Sequence, residues 1–117
     1  FATKGDNRIW RFDVIGNVLE VLYDDDDFTN PVLTGVDNLT IAPSGEIYVA
    51  EDGGDMQLVA LSQDGIPTPL AQVVGQEDSE ITGPAVFGNR LYFSSQRGTG
   101  PFSGEDGITY EITGFFG

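Results

Sequence analysis

The chain has 117 residues with no cysteine and no histidine, and its 19 acidic residues against five basic ones give a formal charge of −14. This charge excludes nucleic acids and anionic membranes as favoured partners, because binding to them depends on clustered Lys and Arg. The absence of cysteine excludes a disulfide scaffold or a thiolate metal site, and no apolar run is long enough for insertion into a membrane. A hydrophobic content of 39% nevertheless supports a packed core.

Short alternating segments predict strands along the whole chain. Sixteen Gly and six Pro, without a long stretch of helical periodicity, indicate an all-β chain rich in turns. The predicted strands are, in order, residues 1–4, 7–13, 17–23, 38–42, 46–50, 56–62, 68–74, 85–87, 90–95 and 108–112. Acidic connectors at 24–30 and 75–79 separate the strands into groups.

The stretch 36–55, VDNLTIAPSGEIYVAEDGGD, predicts a β-hairpin. Its strands, 38–42 and 46–50, alternate polar and apolar side chains and are rich in Ile, Val, Thr and Tyr. The Pro-Ser-Gly turn at 43–45 joins them, since Pro presets its own φ and Gly accepts a positive φ. The two outer ends of such a hairpin lie side by side.

Acidic and amide side chains stand at that edge. Asp37 and Asn38 enter the first strand, Glu51 and Asp52 leave the second, and Glu80 begins a later strand. Carboxylate and amide oxygens are the ligands that calcium prefers, so these five residues are the candidate metal ligands. The alternatives are that Asp37 and Asn38 cap the connector through Asx turns, and that the acidic residues only keep the protein soluble.

The acidic run 24–27 resembles a cation-binding loop in composition only. It lacks the spacing and the following Glu of an EF-hand loop. We therefore expect a solvated connector there.

The chain also repeats itself. Phe1-Ala2-Thr3-Lys4-Gly5-Asp6 followed by RIWRF resembles the segment 49–55 followed by MQLVAL, and the segment 93–98 followed by ITYEI has the same layout. A period of roughly 45 to 50 residues and four short strands per unit are typical of β-propeller blades. The prediction is a single propeller segment of about two four-stranded antiparallel blades: a partial blade at 1–35, a full blade at 36–79 and a partial blade at 80–117.

Two blades cannot close a ring, because each sheet buries both faces against neighbours. Either the remaining propeller blades lie elsewhere in a longer protein, or several copies assemble as a homo-oligomer. A small independent β-sandwich is the alternative architecture.

Three runs in this order, VDNLTIAPSGEIYVAEDGGD, SEITGPAVFGNRLYFSSQRG and GITYEITG, resemble the C-terminal part of the bacterial PhoX-type alkaline phosphatases and their relatives. That family shows a P-D-N-L strand, an E-D pair, and an E-x-x-G-P segment before a hairpin that ends in Q-x-G. The resemblance covers residues 1–114. It implies a secreted or periplasmic six-bladed propeller with calcium and iron in its central channel, which hydrolyses small phosphate esters.

The resemblance also implies roles for single residues. Asp37 and Asn38 stand at the P-D-N position, although Val36 replaces the Pro, and Glu51 and Asp52 stand at the E-D position. Glu80 opens the E-x-x-G-P segment. The family's iron-binding Cys and several acidic ligands belong to earlier blades, so these residues alone do not form a complete catalytic centre.

The functional hypothesis is therefore a segment of a PhoX-like, metal-dependent phosphoesterase. Arg97 is the candidate catalytic residue, because a guanidinium neutralises charge on a phosphoryl group, and a metal-activated water is the expected nucleophile. Two alternatives stay open: a non-catalytic, calcium-stabilised binding or structural module, and a lactonase-like propeller hydrolase.

Overall fold

The computed structural model describes residues 1–97 and 106–114, and within them it confirms the predicted all-β chain. Ten strands are joined by turns and one short 3₁₀ helix, Asp25–Asp27. The strands are β1 (Ala2–Thr3), β2 (Arg8–Asp13), β3 (Val18–Asp24), β4 (Val36–Ile41), β5 (Ile47–Glu51), β6 (Gln57–Leu61), β7 (Pro67–Gln72), β8 (Ile81–Phe87), β9 (Arg90–Ser95) and β10 (Ile108–Thr113). The described residues contain no helix long and apolar enough to cross a membrane.

These strands form three antiparallel sheets, each a simple succession of neighbours. The first sheet has the order β1-β2-β3, the middle sheet β4-β5-β6-β7, and the third sheet β8-β9-β10. Neighbouring strands in each sheet are also consecutive in the chain and pair antiparallel.

The predicted hairpin is confirmed between β4 and β5. Its turn closes through hydrogen bonds from Gly45 N to Ala42 O (2.8 Å) and from Ala42 N to Glu46 O (2.8 Å). Gly45 has a φ of 89°, which a residue with a Cβ rarely adopts. The turn chemistry visible in the sequence therefore fixes this hairpin.

The third sheet begins earlier than predicted. A strand was predicted at 85–87, whereas β8 runs from Ile81 to Phe87 and includes the Gly83-Pro84 pair. A register shift between Thr82 and Ala85 absorbs the pair as a bulge. Bulges are a place where a sheet tolerates proline, because the missing N–H is not needed for the ladder.

The middle sheet is buried on both faces. Val49 and Val59 face the first sheet, whereas Ala50 and Leu58 face the third. The strands β5 and β6 therefore combine alternation with nearly continuous burial, as expected for a central layer.

Two cores result, one on each side of the middle sheet. The core shared with the first sheet contains Ile9, Tyr23, Leu33, Val36, Val49, Val59 and Leu61. The core shared with the third sheet contains Ala42, Tyr48, Ala50, Met56, Leu58, Ala60, Val73, Ile81, Leu91 and Phe93. The sheets thus stack in chain order, and β4 contacts both β1 and β8.

Candidate metal centre

Three carboxylates meet at the rim where the middle and third sheets join. Asp37, Asp52 and Glu80 each offer an oxygen, and the three oxygens lie within 4.8 Å of one another. Asp37 lies in β4, Asp52 directly follows β5, and Glu80 directly precedes β8. They converge because β4 pairs with β5 and packs beside β8. All three are among the predicted ligands; the hairpin accounts for the proximity of Asp37 and Asp52, and the packing of β8 beside β4 brings Glu80 to them.

Two basic side chains border this cluster. Lys4 Nζ lies 2.7 Å from Asp52 Oδ2 and 3.3 Å from Asp37 Oδ2. Arg97 Nη1 lies 3.7 Å from Glu80 Oε1. Three carboxylates against two cations leave the rim negative. Lys4 was not among the candidates, although the sequence repeat aligns Thr3-Lys4 with Glu51-Asp52 and so places Lys4 at the same strand end.

Asp52 and Glu80 share a hydrogen bond, which shifts their pKa values in opposite directions. The bond to Asp52, followed by partial burial, raises the pKa of Glu80. The bonds from Glu80 and then from Lys4 lower the pKa of Asp52. The two neighbouring carboxylates crowd negative charge at the rim, and a bound cation would relieve their repulsion.

Asn38 connects two sheets. Its Oδ1 accepts hydrogen bonds from Thr82 Oγ1 (2.7 Å) and Gly83 N (2.9 Å). Its Nδ2 donates to Asp37 Oδ1 (2.9 Å). The oxygen that a cation would need is therefore already engaged, and Asn38 joins β4 to β8 and orients Asp37.

Glu51 is completely buried and is not one of the three carboxylates that meet at the rim. Its Oε1 accepts from Thr34 N (2.9 Å) and its Oε2 from Gln57 N (2.9 Å). Burial, with a smaller contribution from a hydrogen bond to Asp55, raises the pKa of Glu51 to about 7. Neighbouring strand positions point to opposite faces, and this separates Glu51 from Asp52.

Two hydrogen bonds hold Arg97 beside the cluster, one from its backbone and one from its side chain. Its N–H donates to Ser79 Oγ (2.8 Å), and its Nε donates to Asp78 O (3.3 Å). About half of the Arg97 side chain stays exposed. The guanidinium can therefore contact an anion that approaches the rim.

A second acidic group, Asp24 to Asp26, has a structural explanation. Asp24 Oδ1 accepts from Asp26 N (3.1 Å) and caps the 3₁₀ helix, while Asp24 Oδ2 accepts from Arg8 Nε (2.6 Å). The bond from Arg8 lowers the pKa of Asp24. Capping and ion pairing account for the Asp24 side chain, and Asp25 Oδ2 accepts a hydrogen bond from Asn7 Nδ2 (3.0 Å).

The donor set at the rim fits a hard cation. All three ligands are carboxylates, the type that calcium prefers, and further oxygens would come from water or from a bound substrate. The iron ligand that the family resemblance implies is a Cys, which this sequence does not contain. Comparisons of the chain with protein-family models, with curated proteins and with solved structures found no match.

Proposed function

We propose that this chain is a segment of a cation-dependent phosphoesterase of the PhoX-like type, in which Asp37, Asp52 and Glu80 bind calcium. The supporting observation is the convergence of three carboxylates from two sheets, whose oxygens lie within 4.8 Å of one another. In this proposal the three sheets are consecutive propeller blades with β1, β4 and β8 innermost. The rim then opens on the central channel.

The chain's own residues would bind and orient a small phosphate ester. Calcium supplies positive charge for the phosphoryl oxygens and lowers the pKa of a coordinated water. Arg97, half exposed beside Glu80, would donate to a phosphoryl oxygen and stabilise its charge. Lys4, which pairs with Asp37 and Asp52, would neutralise these carboxylates until calcium displaces it.

The proposal is confined to calcium, because the iron ligand that the resemblance implies is a Cys and this chain contains none. The proposed enzyme acts outside the cytoplasm, secreted or in the periplasm, as the resemblance also implies. The excess of acidic side chains suits an environment that contains calcium.

The second candidate is a calcium-stabilised module without catalysis. The observation in its favour is that the side-chain oxygens of Asn38 and Glu51 already accept hydrogen bonds within the protein. Only the other three of the five predicted ligands meet at the rim. A cation held by three carboxylates from two sheets would fasten those sheets together.

Calcium titration by calorimetry tests the shared part of both proposals. We expect Asp52→Asn to weaken binding by about tenfold or more, since one carboxylate is lost. Lys4→Met should strengthen it, because the competing cation is gone. The matched control is Asp64→Asn, which changes an exposed acid in the turn between β6 and β7. Equal affinities in all four proteins would contradict a site at the rim.

Hydrolysis of p-nitrophenyl phosphate then separates the two candidates. Turnover that a calcium chelator abolishes and that Arg97→Met reduces by about a hundredfold supports the phosphoesterase. Calcium binding without turnover supports the structural module.

A further inference from the structure

The outer face of the first sheet is apolar and exposed. Trp10 pairs across the strands with Val21, and Phe12 with Leu19. Ile9, next to Trp10, is buried against the middle sheet, so alternation places these four side chains on the opposite face. Phe12, Leu19 and Val21 are 50%, 52% and 43% exposed. Phe1 stacks on Trp10 with ring centroids 6.2 Å apart and extends the apolar surface.

The same positions are buried in the middle sheet. Ala2 pairs with Ile9 as Ala50 pairs with Leu58, and this register makes Phe1, Trp10 and Phe12 the counterparts of Val49, Val59 and Leu61. The latter three are completely buried, because the first sheet covers them. The outer face of the first sheet is thus built like a face on which another sheet packs.

The third sheet offers an outer face that can be covered. Leu91 and Phe93 face the middle sheet, so Tyr92 and Ser94 lie on the outer face, where Phe87 is 79% exposed. The polar groups there bond to each other: Ser94 Oγ lies 2.9 Å from Thr109 Oγ1, and Arg90 Nη1 lies 3.2 Å from Glu111 Oε2. A partner sheet would therefore not leave them without hydrogen bonds.

Charge and shape favour a second copy of this chain as the partner. Residues 1–24, which include the first sheet, contain three basic and four acidic side chains, so this part carries a formal charge of only −1 in a chain of formal charge −14. The described residues span 51 × 33 × 22 Å. The longest dimension is about twice the shortest, which matches the outline of half a disc if the middle dimension is the thickness of the disc. Two halves complete a disc.

We propose that two copies of this chain close head to tail into a ring of six sheets, with the third sheet of each copy packed on the first sheet of the other. Six lies within the range of four to eight sheets over which such rings close. A two-fold axis makes both junctions identical and leaves no junction face open. The proposal rests on the propeller arrangement of the proposed function, and it adds which faces close the ring.

Analytical ultracentrifugation in the presence of a calcium chelator tests the closure separately from the metal site. We expect a mass of twice the 12.6 kDa of one chain. The double variant Phe12→Thr/Leu19→Thr and the variant Phe87→Thr should each raise the dimer dissociation constant by about tenfold or more, because each loses apolar contact at both junctions. The control is Ile66→Thr, at an exposed residue in the turn between β6 and β7, and it should leave the dimer unchanged.

Other results would overturn the proposal. A monomer at all concentrations excludes closure by a second copy and leaves the calcium titration to decide the proposed function. If the Phe12→Thr/Leu19→Thr variant dissociates the dimer and Phe87→Thr does not, the dimer is formed by contact between the first sheets of the two copies, which contradicts the proposal. Circular dichroism and thermal unfolding of each variant show that a change in mass does not come from loss of the fold.

Discussion

Glu51 and Ser95 end equivalent strands in the middle and third sheets, but they hold those ends by different chemistry. The backbone is the same at both places: Asp52 N donates to Gly35 O (2.7 Å) and Gln96 N donates to Glu80 O (2.9 Å). In the middle sheet the buried Glu51 carboxylate accepts a hydrogen bond from Thr34 N, which lies in the connector that leads into β4. In the third sheet Ser95 Oγ donates to Ser79 Oγ (2.8 Å), in the connector that leads into β8.

The difference shows that the same backbone arrangement is held to its connector by a carboxylate in one sheet and by two hydroxyl groups in the next. A carboxylate accepts strong hydrogen bonds and spans two backbone donors, but its charge is expensive to bury. Hydroxyls bind more weakly and do not titrate. The strand end in the middle sheet should therefore depend on pH through Glu51, whereas the strand end at Ser95 in the third sheet should not.

The largest expected effect comes from Glu51→Ala. This change removes the acceptor for Thr34 N and Gln57 N and leaves a cavity where a side chain was completely buried. We expect a loss of about 3 kcal/mol in the free energy of unfolding, because two part-buried backbone donors lose their partner and a buried side chain is truncated. Urea unfolding followed by tryptophan fluorescence measures it. A loss below about 1 kcal/mol would show that the carboxylate is not what holds this strand end.

The pH dependence of stability should follow Glu51. Its pKa is about 7 in the folded protein against an ordinary 4.5, so the folded chain keeps a proton that the unfolded chain releases between these values. Stability is therefore highest below pH 4.5 for this group and falls as pH rises to about 7, by about 3 kcal/mol at roughly 1.4 kcal/mol per pH unit.

The variant Glu51→Gln isolates this contribution. A glutamine resembles the protonated acid and does not titrate, so the fall in stability between pH 4.5 and 7 should disappear. Urea midpoints measured across this range give the comparison. A variant whose midpoint still falls as in the wild type would assign the pH dependence to another group.

The smallest effect is expected for Ser95→Ala in the third sheet. The buried Ser95 hydroxyl is lost, but Ser79 Oγ still accepts from Arg97 N (2.8 Å). The expected loss is about 1 kcal/mol, the usual net contribution of one hydrogen bond. It should be the same at pH 5 and pH 8, since no ionisable group changes partner. A pH-dependent loss would mean that the two strand ends are coupled.

Local chemistry in the sequence was sufficient for much of the fold. The Pro-Ser-Gly turn and the alternation on both sides of it determine the hairpin β4–β5, and the recurring units predict sheets that resemble one another. The same alternation also separates the acidic side chains at the end of β5. Glu51 has the parity of Val49 and therefore points into the core, while Asp52 points away from it.

The sequence by itself determined the strands, their turns and an excess of acidic side chains at strand ends, because these follow from contacts between residues close in the chain. Only the tertiary structure decided which acidic residues meet. Glu80 joins Asp37 and Asp52 because β8 packs beside β4, and Lys4 reaches them from the first sheet. The packing of separate sheets also took Asn38 and Glu51 into structural roles, since a buried polar atom must find a partner wherever the fold places it.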